Sequence, residues 1–140
     1  MKYTNTQANA YIVRLEKGEE IVRTLTDFCR EQKIENASIM GIGSIENPTL
    51  AHYKVDDKKY SEKVFTGVYE VTALLGNVML SEGEPLIHPH ITISDEHMQA
   101  FAGHLVKGTV SATLEVLITV YPSTISKTYD ENIGLKLLDI

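Results

Sequence analysis

One segment of the chain has the period of an amphipathic helix, and this limits the possible folds more than any other feature. In residues 19–33, apolar side chains recur at the spacing of one helical face, at Ile21, Val22, Leu25, Phe28 and Cys29. Glu19 and Glu20 lie at its start and Arg30 near its end, as the helix dipole favours. A chain with a single helix must bury most of its other apolar side chains in a sheet.

The remaining segments are short, rich in β-branched and aromatic residues, and separated by turn residues. We predict strands over residues 11–16, 37–45, 49–55, 60–65, 69–80, 86–94, 110–120 and 135–140. Many sequential strands at short spacing predict an antiparallel meander or a partly closed barrel, with the helix over one face or end. The expected class is therefore α+β, with residues 1–140 forming one domain whose core begins near residue 10.

Two of these strands lack a polar face. In residues 69–80 and in residues 110–120, apolar side chains occupy both alternating sets of positions. Antiparallel strands that face water on one side normally alternate polar and apolar residues. One helix is too small to cover these extra faces, so we expect a second copy of the chain to cover them.

Charge and composition exclude several classes of protein. The formal net charge is −6, a poor basis for binding a phosphate backbone. The densest lysine group, Lys54, Lys58, Lys59 and Lys63, is interleaved with acidic residues, which is typical of a solvated hairpin. No apolar run approaches the ~20 residues of a membrane helix, and the first residues do not resemble a signal peptide. Cys29 is the only cysteine and falls on the buried helical stripe, so we expect a core thiol and a cytoplasmic protein.

Histidines provide the strongest chemical signal in the sequence. His88 and His90 alternate with apolar residues, and the period of a strand places both imidazoles on one face. His104 follows a turn and Gly103, and a returning strand could bring it beside the pair. Imidazoles converging on one point are typical ligands of zinc and other divalent transition metals. A His-x-His pair alone also occurs among structural histidines, so residue types leave both interpretations open.

The other two histidines have simpler interpretations. His97 follows Asp95 and Glu96 in a polar turn, and His52 alternates with an apolar residue on a strand, so both are expected to be solvated. Cupins also carry His-x-His on a strand, followed by a carboxylate and a distal histidine. Asp95 or Glu96 could be that carboxylate, but the second cupin motif is missing and an early helix is foreign to the cupin order.

Short motifs in a fixed order make the chain resemble the PPC (plants-and-prokaryotes conserved) domain from about residue 10 to residue 140. They are Leu15-Glu16-Lys17-Gly18, Met40-Gly41-Ile42-Gly43-Ser44, Gly67-Val68-Tyr69-Glu70-Val71, Leu75-Gly76-Asn77-Val78, His88-Pro89-His90-Ile91-Thr92, Ser94-Asp95, Gly103-His104-Leu105, Gly108-Thr109-Val110 and Gly134-Leu135-Lys136-Leu137-Leu138. The resemblance implies a compact α+β fold that forms homotrimers. It also implies that His88, His90 and His104 match histidines that look like metal ligands in stand-alone prokaryotic members.

The resemblance carries a label of DNA binding, which this sequence does not favour. Plant relatives join the domain to AT-hooks, whose Arg-Gly-Arg-Pro core enters the minor groove, and this chain contains no Arg-Gly pair. Two further departures from the family pattern are Ala102 in place of a glycine and a turn of Glu96, His97, Met98 and Gln99 that lacks one.

Three hypotheses therefore follow from the sequence. The first is an oligomeric metal-binding protein of regulatory role, and the second is a DNA-binding protein acting through a surface of the trimer. The third is a metal-dependent enzyme acting on a small molecule, because three histidines leave an open coordination position. Glu70, on a neighbouring predicted strand, is a candidate base for that enzyme, and an ion pair or interface hydrogen bond is the alternative role for its carboxylate. No phosphate loop or dinucleotide fingerprint accompanies it.

Overall fold

A computed structural model describes residues 1–6 and 9–140 of the chain. In this part of the chain, one helix, α1 (Ile21–Glu31), is accompanied by nine strands. The strands are β1 (Lys2–Thr6), β2 (Ala10–Glu16), β3 (Ala37–Lys54), β4 (Lys59–Val64), β5 (Val68–Ser81), β6 (Glu84–Ser94), β7 (Ala100–Val120), β8 (Ser126–Asp130) and β9 (Leu135–Asp139). One helix and a predominance of strands confirm the α+β class expected from the sequence.

The strands form a sheet in the order β1-β2-β7-β3-β5-β8-β9. Strand β6 pairs with both β5 and β7, so β3, β5, β6 and β7 close a ring. All pairings are antiparallel except the short parallel contact of Leu80 in β5 with Ser126 in β8. The expected meander holds for β5, β6 and β7, which pair in sequence, but β7 also pairs with β2 and β3 and lies between them. The result is a ring with attached strands rather than a simple meander or a clear barrel.

Two strands are longer than the sequence suggested, because local bends do not interrupt their pairing. The predicted strands 37–45 and 49–55 are one strand, β3, whose register against β7 shifts at three points. Strand β7 begins ten residues before the predicted strand 110–120. At Gly43 the two strands approach so closely that a Cβ would overlap the backbone carbonyl oxygen of Thr113. Gly43 is therefore a position of close backbone approach within a continuous strand.

The helix begins at Ile21 and ends at Glu31, inside the predicted segment 19–33. Glu20 is its N-cap, and its carboxylate accepts hydrogen bonds from the backbone N–H groups of Val22 and Arg23 at 3.3 and 2.7 Å. The helix packs mainly against β6 and β7. Cys29 is fully buried, and burial raises the pKa of its thiol to about 12, which confirms the prediction of a core cysteine.

The core lies inside the ring and beneath the helix. Its largest fully buried side chains are Phe28, Leu15, Ile21, Leu25, Ile45, Leu74, Ile91, Ile93, Leu105, Leu114, Ile118 and Val13. Among the described residues, no helix is long and apolar enough to cross a membrane.

The other face of the ring carries exposed apolar side chains. We define the outer apolar face as Ile12, Met40, Ile42, Leu75 and Leu117, which are 37% to 59% exposed. These residues line an open groove of about 450 Å³ that crosses β2, β7, β3 and β5. The prediction that strands 69–80 and 110–120 carry apolar side chains on both faces is therefore confirmed, because Leu75 and Leu117 are their exposed members.

Candidate metal centre

His88 and His90 lie on β6 and project from the outer side of the ring. Their neighbours Ile87, Pro89 and Ile91 are buried on the inner side, so the alternation of the strand separates the two sets. His104 lies on β7, directly opposite His90 in the antiparallel ladder. The returning strand expected from the sequence thus brings the third histidine beside the pair.

The three rings converge on one point. Ring centroids are 5.2 Å apart for His88 and His90, 5.2 Å for His88 and His104, and 5.5 Å for His90 and His104. One nitrogen from each ring lies within 4.8 Å of the others. Two nitrogens on one tetrahedral zinc ion lie about 3.3 Å apart, so small side-chain rotations bring the rings to ligand geometry.

The electrostatic surroundings keep two of the imidazoles neutral. Burial lowers the pKa of His88 to about 4, with further lowering by Lys127 and by the two other histidines. Burial also lowers the pKa of His104, followed by the charges of His90 and Lys127. Neutral imidazole is the form that binds a metal ion, so the ring environment suits a ligand set.

One buried nitrogen in the cluster has no partner. Nδ1 of His104 is buried and makes no hydrogen bond within the described part of the chain. A buried polar atom without a partner is costly and calls for an unseen water or ion. This observation and the convergence of three nitrogen donors show that the residues present fit a transition-metal ion.

Strand β5 passes close behind His88. A Cβ on Gly76 would overlap the backbone carbonyl oxygen of His88, so only glycine permits this approach. Asn77 lies directly opposite His88 in the ladder, and its side-chain oxygen is buried with no hydrogen-bond partner in residues 1–6 and 9–140. Tyr60 of β4 contacts the cluster from the other side, with its ring centroid 5.6 Å from that of His104.

Lys127 is a member of the site that sequence reasoning missed. Its side chain lies in β8, and its Nζ is 3.3 Å from Nδ1 of His88. Burial lowers the pKa of this lysine below its ordinary value. The sequence around Lys127 does not indicate its burial, because a single lysine between Ser126 and Thr128 is typical of an exposed strand.

Glu70 does not join the histidines. It lies opposite Ser94, whereas His90 lies opposite Leu75. At a rise of about 3.3 Å per residue, Glu70 is roughly 16 Å further along β5 than Leu75. Glu70 is exposed and lines a separate open cavity of about 480 Å³ together with Glu115. Within one subunit it is therefore not placed to act as a base at the histidine cluster.

The turn after β6 uses its acidic residues locally. The Asp95 carboxylate accepts hydrogen bonds from the backbone N–H groups of His97 and Gln99, both at 2.9 Å. Glu96 lies 3.7 Å from His97, at the surface. Neither carboxylate belongs to the cluster of three histidines, so the cupin arrangement is not found. His97 and His52 are exposed, as the sequence predicts.

The histidine cluster adjoins the outer apolar face. Met40 lies opposite Leu75, Leu75 opposite His90, and His90 opposite His104, so these side chains form one row across the ring. Whatever covers Leu75 therefore also borders the candidate metal centre.

Comparison with known proteins supports the sequence resemblance. The family model of the Plants and Prokaryotes Conserved (PCC) domain matches residues 3–122. A search of curated proteins found no match.

Solved structures from three organisms are similar over almost the whole chain. A proposed DNA-binding protein from Bacteroides thetaiotaomicron is 34% identical, with a TM-score of 0.95 over 99% of this chain and 96% of that one. A plant- and prokaryote-conserved (PPC) protein from Pyrococcus horikoshii is 32% identical, with a TM-score of 0.88 over 99% and 95%. A metal-containing protein from Archaeoglobus fulgidus is 26% identical, with a TM-score of 0.86 over 98% of each chain.

Proposed function

The chain belongs to the Plants and Prokaryotes Conserved domain family, and from this we propose that it is a homotrimeric protein that holds one divalent transition-metal ion on His88, His90 and His104. The observation that carries the proposal is the convergence of three histidine rings, one of which, His104, has a buried nitrogen without a hydrogen-bond partner in residues 1–6 and 9–140. The similar protein from Archaeoglobus fulgidus, described as metal-containing, supports the same reading.

Zinc is the ion that we propose for this site. Nitrogen ligands suit zinc, and three of them leave the fourth tetrahedral position free. When bound, such an ion supplies Lewis-acid polarisation to a molecule at the open position. Structural zinc sites usually have four protein ligands and favour cysteine, so three histidines indicate a site that is accessible to a ligand.

Metal analysis of protein purified without a histidine tag tests this assignment. We expect about one zinc ion per chain in the wild-type protein and little in a His88→Ala, His90→Ala double variant. His97→Ala is the matched control, because His97 is exposed and outside the cluster. A double variant with full metal content would refute the ligand set.

Protons compete with the metal for these rings. Because the pKa values of His88 and His104 are lowered, affinity for the metal should persist below pH 6.5, the ordinary pKa of histidine, and fall on further acidification. Metal retention after dialysis at a series of pH values measures this directly. Loss of the ion already near pH 6.5 would contradict the neutral state assigned to the rings.

The outer apolar face supports the trimer. Five exposed apolar side chains in one groove are a surface that water does not favour, and a permanent interface buries roughly 2,000 Å² or more. Leu75→Asp is therefore expected to dissociate the trimer, because it places a charge at the centre of this face. Light scattering at micromolar concentration measures the change, with Thr128→Asp as the control, because Thr128 is exposed and does not line this groove. A wild-type monomer would refute the trimer.

DNA binding is the second candidate, because the similar protein from Bacteroides thetaiotaomicron is a proposed DNA-binding protein. The net charge of −6 opposes it. A gel-shift assay over a salt series decides between the candidates. We expect no shift at low salt, and a shift that weakens with rising salt would favour the DNA-binding role. We therefore propose a regulatory protein whose metal site is accessible to a ligand. We also propose that it is cytoplasmic, because a single cysteine suits a reducing compartment.

A further inference from the structure

Lys127 is buried, and the described part of the chain places no counter-charge beside it. It is 8% exposed, and its Nζ has one hydrogen-bond partner, Nδ1 of His88. No carboxylate of residues 1–6 and 9–140 lies within ion-pair distance of it, whereas Lys136 of the same hairpin is paired with Glu82. Lysine is rarely buried to this extent unless it is paired, because the desolvated charge is costly.

The position of Lys127 is fixed by the structure around it. Asn36 is buried and holds the segment that precedes β8. Its Oδ1 accepts hydrogen bonds from Ser123 Oγ at 3.0 Å and from Ile125 N at 2.6 Å, and its Nδ2 donates to the Ile125 carbonyl oxygen at 2.8 Å. Ser126 then pairs with Leu80 of β5. These hydrogen bonds fix the start of β8 and thereby hold Lys127 beside the histidine cluster.

The charges at the site favour an anion. Any divalent ion held by the three histidines shares the site with the ammonium group of Lys127, because that group contacts one of the three rings. Two positive centres at close range repel each other unless an anion lies between them.

We propose that Lys127 is a ligand-recognition residue and that the site binds a small carboxylate, with one oxygen at the open metal position and the other accepting a hydrogen bond from the Lys127 ammonium. This inference rests on the proposed metal site. A carboxylate has two oxygens at a spacing suited to two positive partners, and one of them completes a four-coordinate shell of three histidines. A cavity of about 230 Å³ beside His90, lined by Ala73, Leu75 and Thr92, has room for a small organic substituent.

Cobalt-loaded protein tests the inference, because the visible absorption of bound cobalt responds to a new ligand. Wild-type protein is titrated with acetate, with succinate and, in a parallel arm, with inorganic phosphate. Lys127→Met keeps the aliphatic volume and removes the charge, so we expect it to weaken carboxylate binding about ten- to a hundredfold. Lys136→Met removes a lysine of the same hairpin that lies outside the site, and it should titrate like the wild type. All three proteins should keep one cobalt ion per chain.

Stability separates recognition from a structural role. Without metal and anion, Lys127→Met should unfold at the same denaturant concentration as the wild type or higher, because an uncompensated buried charge has been removed. A clear loss of stability would assign Lys127 a structural role and overturn the proposal. Identical carboxylate titrations of Lys127→Met and wild type, or a response to phosphate alone, would also overturn it while leaving the metal site intact. Wild-type protein that takes up no cobalt would refute the metal site and this inference together.

Discussion

The two faces of strand β6 differ in how many of their side chains find packing or hydrogen-bond partners within the chain. On the inner face, Ile87, Ile91 and Ile93 are buried against the core of their own chain. On the outer face, His88 and His90 adjoin a histidine nitrogen and an asparagine oxygen that have no hydrogen-bond partner among the described residues. Leu75, which is exposed, and Lys127, which is buried with no ion-pair partner in residues 1–6 and 9–140, lie beside them. The inner face, whose side chains are packed within the chain, contributes stability. We call the outer face incomplete, because its polar groups lack partners in the described residues, and this indicates where the protein binds a ligand.

The largest effect is expected on the inner face. Ile93→Ala should lower the free energy of unfolding by about 2–5 kcal/mol, because it removes a fully buried side chain and leaves a cavity. Denaturant unfolding measures the loss, and metal content per folded chain should stay unchanged. If Ile93→Ala also abolished metal binding, the two faces would not be independent.

Metal removal should have the next largest effect, through the outer face alone. With free zinc about a hundredfold above its dissociation constant, chelation should lower the unfolding free energy of the wild type by about 3 kcal/mol. The His88→Ala, His90→Ala double variant should show no such change, because it has no site to empty. Thermal melts with and without chelator make the comparison, and equal shifts in both proteins would contradict it.

Acidification of the metal-free protein should have a smaller effect. The pKa of His88 is about 4 in the folded chain and near 6.5 when unfolded, so the unfolded state binds the proton first as pH falls. His88 therefore contributes stability above pH 6.5 that is lost between about pH 6.5 and pH 4, on the order of 1–2 kcal/mol after allowance for its partial exposure. Unfolding of the wild type and of His88→Asn over this range isolates the contribution. Parallel pH curves for the two proteins would disprove it.

The smallest effect is expected in the turn after β6. His97 is exposed, and its ring makes a long contact of 3.7 Å with Glu96. His97→Gln should change the unfolding free energy by less than about 0.5 kcal/mol and leave metal content unaltered. A larger change in either measurement would show that the incomplete face extends into this turn.

The periodicity of apolar residues predicted the elements whose structure is fixed by their own sequence. The helical period marked α1 and placed Cys29 in the core. The alternation in β6 placed His88 and His90 on one face. Strands β1 and β8 were not predicted, because each is short and polar and has no alternating apolar pattern. They are recognised by their pairing, β1 with β2 and β8 with β9. The first half of β7 was also missed, because Gly103, Lys107 and Gly108 are typical of turns.

The sequence by itself determined one amphipathic helix, most of the strands and two histidines on one strand face, because each follows from the period of a single segment. Only the tertiary structure decided that β7 lies between β2 and β3, that His104 lies opposite His90, and that Glu70 lies far from both. It also decided that Lys127 is buried beside His88. These arrangements join residues that are distant in the chain, and their energy comes from pairing, packing and the exclusion of water, which no local pattern contains.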